Sequence, residues 1–502
     1  MFRSSRFAVL VAVFVSGTAL SLAQSRTADS HEQIRLATAL YEQGRYADAL
    51  RSFTQALSSP DAVIARGARK GVVRTSLRVG EFTGARRAAE ILAREADTDT
   101  EALALVGDAL WAAGRFDEAD VEYARALAID AGSSRGRFGL ARSLGSRSRL
   151  FEALGEVERA VGTAPRDADL QALLGSLRER LNQFDRAAEA YAEYAGLLPP
   201  SESVAIAIAR TRAEFLRSFG TRRPLDVSDS DASQAHAVPF KLVNNKIVVL
   251  GRLNRVPVEW VLDTGAERTG VSADVADSAR IRAVTSTLTA GVGRPAFRRV
   301  RLGRADTVEI GSLTVRNVPV SIRSPAMGGP PRWQGQSLSP IALGFSVSVD
   351  YGQRRIVLAR TLPEVQSDVT LPMRIQRLPL IRGTLNSMHP AYFVVDTGGE
   401  VISIGADTAD LLGMQSAPRI PIRVMGMSGR DEGAFVLPGV DLDFEGVSYR
   451  RVGLAVLNLR APSVLLGFQV GGIVGHKFLS QYRVSIDVPR SEVRLERLVG
   501  VG

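Results

Sequence analysis

Two Asp-Thr-Gly triplets are the residues of this chain best suited to do chemistry. One closes the run Trp260-Val261-Leu262-Asp263-Thr264-Gly265-Ala266. The other, 133 positions later, closes Phe393-Val394-Val395-Asp396-Thr397-Gly398-Gly399. Each follows an apolar run that ends at a turn signal, which reads as a buried strand. A carboxylate at the mouth of such a strand is costly unless it is paired, hydrogen-bonded or in use. Two of them on matching scaffolds point to one shared site. In such a turn the threonine hydroxyl can hydrogen-bond across to the partner loop. The glycine lets backbone come close and donate an N–H to the carboxylate. Two adjacent carboxylates cannot both ionise easily and so share a proton. The charged one can act as base on a bound water and the protonated one as acid toward a carbonyl. That chemistry hydrolyses a peptide bond with no metal and no covalent intermediate.

The elements that must position these acids are themselves duplicated. Gly251-Arg252-Leu253-Asn254 precedes the first triplet and Gly383-Thr384-Leu385-Asn386 the second, each reading as a hairpin turn. Ala273-Asp274-Val275-Ala276-Asp277 and Ala406-Asp407-Thr408-Ala409-Asp410 follow them and predict short helices. Val347-Ser348-Val349-Asp350 pairs with Val484-Ser485-Ile486-Asp487 near the ends of the halves. A second buried strand ending in glycine is read at Ile341-Ala342-Leu343-Gly344 and at Gly472-Ile473-Val474-Gly475. Short β-rich runs between Gly and Pro turns fill the remainder. Residues 239–362 and 369–498 are therefore two copies of one mainly-β unit.

On these triplets and strands the second region resembles the aspartic proteases, specifically retropepsin-like units. The resemblance implies a two-lobed mainly-β domain with an aspartic-type endopeptidase activity and no cofactor. It implies that Asp263 and Asp396 form the catalytic pair, with Thr264, Gly265, Thr397 and Gly398 supporting the active-site loops. It also implies a glycine-bearing flap over the substrate, with candidates at Gly291-Val292-Gly293 and Gly426-Met427-Ser428-Gly429. Three departures stand out. Gly399 occupies a position where the family usually has Ala or Ser. The span from Gly344 to Asp350 is six residues shorter than that from Gly475 to Asp487, so the first half lacks the short helix read at His476–Gln481. The aspartate that usually precedes the second apolar strand is missing in both halves. Whether the halves pair within one chain or across a homodimer is left open by the sequence.

Residues 29–219 carry a different pattern. Ala49, Ala85, Ala119, Ala153 and Ala187 recur at intervals of 36, 34, 34 and 34, each three positions after Tyr46, Phe82, Phe116, Leu150 or Phe184. Gly44, Gly80, Gly114, Ser148 and Asn182 stand at the turns two positions earlier. Small alanines allow close helix approach, an aromatic fills the gap, and glycine takes the turn. This resembles the tetratricopeptide repeat in five copies, with a capping helix over 201–219. The resemblance implies an all-α solenoid that docks a protein or peptide. The alternative is a non-catalytic peptide-binding or scaffold protein.

The rest of the chain sets bounds. Its 502 residues suffice for several domains, and an apolar share of 45% is that of a globular protein. With no cysteine, disulfides, thiolate metal sites and a cysteine nucleophile are excluded. His31, His236, His389 and His476 are too far apart to show metal-ligand spacing, so neither a metal nor a cofactor is expected. The net charge of +10 is carried almost wholly by scattered arginines, which gives no nucleic-acid footprint. Residues 1–23 read as a signal peptide, with Arg3 and Arg6 before an apolar core and small residues at Ser21-Leu22-Ala23. Export to the periplasm or the extracellular space follows, with no membrane span after cleavage. Residues 220–238, rich in Ser, Asp, Pro and Arg, read as a linker.

Overall fold

The computed structural model describes residues 29–95, 98–294, 297–323 and 336–498. The expected signal peptide lies outside the described residues. The chain divides into two compact units, Met1–Gly139 with Leu198–Ser203, and Leu140–Leu197 with Val204–Gly502. That division cuts across the boundary between helical repeats and β-rich region.

The first unit holds helices over 29–42, Tyr46–Ala56, Ala62–Arg78, Phe82–Glu95, Thr100–Ala112 and Phe116–Ile129, and the first part of Ser134–Ser146. Asp61 and Asp99 cap two of these helices by accepting from backbone N–H groups one turn in. Ala49, Ala85 and Ala119 are fully buried, which is the close approach that the repeat demands. The turns at Gly44, Gly80 and Gly114 have φ near +72°, +71° and +74°. Tyr123 packs on Gly107 and Gly139 so tightly that a Cβ at either would lie 2.5 or 2.1 Å from its ring. Its hydroxyl reaches Asp108 at 2.8 Å. Segment 198–203 returns to the first turn of this unit, where Ser201 Oγ donates to the Gln43 carbonyl at 2.6 Å.

The second unit begins with helices Leu150–Thr163, Ala168–Arg180, Phe184–Leu197 and Ser203–Arg217. Its repeat turns at Ser148 and Asn182 take the same left-handed conformation without glycine, at φ +60° and +58°. A large, mostly antiparallel β domain follows. In each half a hairpin with two positive-φ residues leads into the strand that carries the triplet, at Asn254-Arg255 and Asn386-Ser387. The strands are Val256–Leu262 and His389–Val395. Each is flanked by a parallel partner, Leu262 aligning with Leu338 and Val395 with Val474. Helices Ala273–Ser278 and Ala406–Leu411 occupy the positions read for them.

The halves join through one ladder. Strand Ser346–Asp350 pairs antiparallel with Tyr482–Asp487, Val347 opposite Ile486 and Asp350 opposite Arg483. Strands Arg355–Ala359 and Glu492–Arg497 extend it on either side. Pairing is thus within one chain. One core, with Trp260, Phe345, Phe393, Phe444 and Phe478 almost wholly buried, runs through both halves.

Two sequence expectations are corrected. Ile341–Leu343 is a 3-10 turn ending at left-handed Gly344, not the second buried strand of the first half. That strand is Ser337–Leu338, and its register makes Ser339 the counterpart of Gly475. From Ser339 to Asp350 is 11 positions and from Gly475 to Asp487 is 12, so the short helix His476–Leu479 has its equivalent in Ile341–Leu343. The helix is present in both halves. The 220–238 stretch is also bound into the fold rather than free. Leu225 and Asp226 pair with Asn317 and Arg316, Asp229–Ser233 forms a helical turn, and the first strand starts at His236.

Candidate active site

The two triplet loops face each other at the ends of their strands. Thr264 Oγ1 donates to the Val395 carbonyl at 2.6 Å and accepts from the Thr397 N–H at 3.0 Å. Thr397 Oγ1 does the same in reverse, donating to Leu262 O at 2.9 Å and accepting from Thr264 N–H at 3.2 Å. Both threonines are almost fully buried. Four reciprocal hydrogen bonds thus clamp the loops, and each hydroxyl satisfies a backbone N–H that would otherwise be stranded.

The clamp brings Asp263 and Asp396 to one place. A Cβ on Gly265 would lie 2.5 Å from the Asp396 carboxyl carbon, and one on Gly398 would lie 3.0 Å from Asp263 Oδ1. Each triplet glycine therefore makes room for the other half's aspartate. Gly398 N–H donates to Asp396 Oδ1 at 2.8 Å. Burial and the neighbouring Asp396 push Asp263 up to about 7, against the pull of Arg323 and Lys246. Burial also raises Asp396, opposed by the N–H groups of Gly398 and Gly399 and by Lys246. Such a pair can share a single proton. It can therefore present an acid and a base to one bound water.

The flap candidates are also brought together. Gly291-Val292-Gly293 is the tip between strands Ala283–Ala290 and Phe297–Ile310. Gly426 and Gly429 bracket the tip between Val424–Gly426 and Gly429–Asp431. Ser428 N–H donates to Val292 O, and Gly291 N–H donates to Ser428 Oγ, both at 3.0 Å. The Arg294 N–H donates to Arg430 O at 3.2 Å. A Cβ on Gly293 would lie 2.0 Å from the Gly429 carbonyl, so the tips touch through bare backbone.

A Cβ at Gly399 would sit 3.1 Å from Asp396 Oδ2, so a side chain there would press on that carboxylate. The Gly399 carbonyl accepts from His476 N–H at 2.9 Å. In the other half Ser339 Oγ donates to Ala266 O at 2.6 Å, so each loop is braced from its second strand.

Residues that sequence reasoning missed complete the site. Lys246 Nζ reaches from the first half to the Gly398 carbonyl at 2.5 Å. Only its rarity marks it, one of four lysines among 63 basic residues. A cleft beside Asp263 is lined by Gly265, Ala266, strand 287–290, Arg323 and Met427. Within it Arg377 binds Glu267 at 2.6 Å, one half to the other. Behind it Glu179, on a repeat helix, takes Arg212 at 2.7 Å and Arg268 at 4.0 Å. Among the described residues no cluster of His, Asp or Glu is placed to hold a metal ion.

Residues 249–347 match the family described as aspartyl protease. Residues 34–69, 73–134 and 138–202 match tetratricopeptide repeat. The chain carries an N-terminal tetratricopeptide-repeat region and a C-terminal aspartic-protease-family domain. Solved structures similar to it include an aspartic proteinase from Irpex lacteus, 15% identical over 53% of this chain and 98% of that one, with a TM-score of 0.34. A thermophilic repeat protein of Thermus thermophilus is 19% identical over 36% of this chain and 98% of that one, TM-score 0.31. A tetratricopeptide repeat protein from Parabacteroides merdae is 19% identical over 42% and 91%, TM-score 0.28. No curated protein matches the chain.

Proposed function

We propose that the protein is a single-chain aspartic endopeptidase of retropepsin-like build, its two halves acting as lobes and Asp263 and Asp396 as the catalytic pair. The observation that carries this reading is the reciprocal placement of the triplets, each glycine against the other half's aspartate and each threonine bonded to the other strand. Touching flap tips from both halves support it, because a cleft roofed from two sides suits an extended peptide.

In the reaction the pair carries one proton, and Asp396 is the ionised member, because the Gly398 N–H donates to its Oδ1 at 2.8 Å and favours the charged form there. Asp396, ionised, takes a proton from the bound water as the water oxygen attacks the scissile carbonyl carbon. Asp263 gives its proton to the carbonyl oxygen, which yields a neutral tetrahedral diol. Collapse breaks the C–N bond, the amine nitrogen takes the proton from Asp396, and a diol hydroxyl returns one to Asp263. The loops fix both acids before substrate arrives, so little reorganisation is left to the reaction.

The repeat region is read as a docking surface for a protein or peptide. Export is read from residues 1–23, and sequencing the N-terminus of the mature protein tests it. For the catalytic reading, a mixed peptide library is incubated with the full chain across pH 3 to 8, beside Asp263→Asn and Asp396→Asn. Cleavage by the wild type that either substitution abolishes, with folding intact by circular dichroism, is the expected result. Cleavage that survives both substitutions, or none from folded wild type, overturns the reading.

A further inference from the structure

The cleft beside Asp263 is lined by three arginines, Arg268, Arg323 and Arg377, and by one acidic residue, Glu267. Two of the three are committed. Arg377 is closed onto Glu267 at 2.6 Å, and Arg268 shares Glu179 with Arg212. Arg323 has no hydrogen bond and no ion pair from its side chain among the described residues. It ends strand Leu313–Arg323, an otherwise largely apolar run. Its guanidinium lies against Gly270, where a Cβ would come within 2.5 Å of Cζ. The backbone at 270 therefore leaves a seat for this group. Burial lowers the Arg323 pKa, with the Asp263 carboxylate opposing that shift. A guanidinium presents five donors in a planar fork that fits a carboxylate. Here Arg323 lines the cleft with the donors of its fork unmet among the described residues.

We propose that Arg323 is a specificity-determining residue, making this part of the cleft a subsite for an acidic side chain, aspartate or glutamate, of the peptide. The inference rests on the endopeptidase reading for the position of the peptide, not for the presence of the cation. The neighbouring wall is apolar, with Leu288, Ala290, Val300 and Met427 around the seat. A carboxylate placed there exchanges water for a charge-assisted pair, whereas an amide of the same shape gains much less. A lysine brings a second cation beside an unneutralised one. The cleft thus orders the three side chains as Glu, then Gln, then Lys.

The test uses peptides in which each position near the scissile bond holds Glu, Gln or Lys in turn. Turnover is measured with the full-length wild type, Arg323→Gln and Arg323→Glu, each at its own pH optimum. Binding is measured in parallel with versions whose scissile bond is reduced and cannot be cleaved. At one position the wild type is expected to favour Glu over Gln by roughly 10- to 100-fold in kcat/KM. Arg323→Gln brings that ratio toward one, and Arg323→Glu turns it toward Lys. Turnover with no Glu preference at any position overturns the subsite and leaves the endopeptidase reading standing. So does a preference that survives Arg323→Glu. Glu-selective binding without turnover keeps the subsite and removes the endopeptidase reading. Neither binding nor turnover overturns both. The wild-type Glu-to-Gln ratio needs no variant, so the subsite remains open to refutation if a substituted chain does not fold.

Discussion

Asp263 is held as an acid by its surroundings, and that has a measurable cost to the fold. Its folded pKa of about 7 lies above the ordinary carboxylate value. Below about pH 4 folded and unfolded chains both hold the proton, and the group is neutral in its effect. As pH rises toward 7 the unfolded chain releases it while the folded chain does not, so stability falls and then levels off. Asp263→Asn removes this group's share of the dependence and leaves that of Asp396. The variant is expected to match the wild type near pH 4 and to exceed it by on the order of 2–4 kcal/mol at pH 8. Denaturant unfolding at both values checks this, and equal stability at pH 8 would refute it. Lys246 acts on the same pair from the opposite side. Its ammonium favours the ionised form of both aspartates. Lys246→Met should therefore raise both apparent pKa values and move the whole pH profile of kcat/KM to higher pH. A profile that stays in place, or moves to lower pH, contradicts this role.

At the scale of elements, the flap tips depend on few bonds. Ser428 supplies one through its hydroxyl, accepting from Gly291 N–H, and one through its backbone. Ser428→Ala removes only the first. KM should rise about 3- to 10-fold for one lost hydrogen bond, with a smaller change in kcat. A fall in kcat with KM fixed would place Ser428 in the chemistry instead. The triplets, their strands and the short helices after them were legible because apolar runs, turn residues and duplication all agree. The five repeat turns were legible even where glycine is replaced, at Ser148 and Asn182, since the spacing carries the signal. The second strand of the first half was misplaced because Ile341-Ala342-Leu343-Gly344 imitates the apolar-Gly ending of the other half. The true strand, Ser337–Leu338, has serines around one leucine. Its register is fixed by the parallel ladder to Val261 and Leu262, a long-range fact that composition does not encode. Arg323 and Lys246 were missed for a related reason. A lone cation has no spacing, and its meaning comes from what the fold sets beside it.

At the scale of the molecule, the later repeat helices are part of what holds the β domain. Leu302 is buried with Phe184, Phe215 and Phe219. Glu179 reaches Arg268, three residues beyond Gly265. Burial alone would raise the Glu179 pKa, but Arg212 and Arg268 outweigh it and hold the group below the usual carboxylate range. This tie is complete above that range and is lost as pH falls through the lowered value. A chain that begins at residue 220 exposes Leu302 and leaves Arg268 without its carboxylate. Exposing one such leucine alone costs roughly 1.5–3 kcal/mol. That chain should melt at lower temperature, or aggregate, whereas one that begins at residue 140 should keep a cooperative transition. Circular dichroism melts of the two chains decide the point, and equal melting would show the helices to be dispensable.

The separation of packing from sequence repeat has a consequence for how this protein can be recombined. The last two repeat turns belong with the β domain, and the seam between the compact units falls within helix Ser134–Ser146. A foreign repeat array grafted at residue 219 would leave the β domain facing unrelated helices. The portable part of the array is the stretch ahead of that seam. Chimaeras that keep residues 140–219 with their own β domain are the ones in which new docking specificity and the original cleft can coexist.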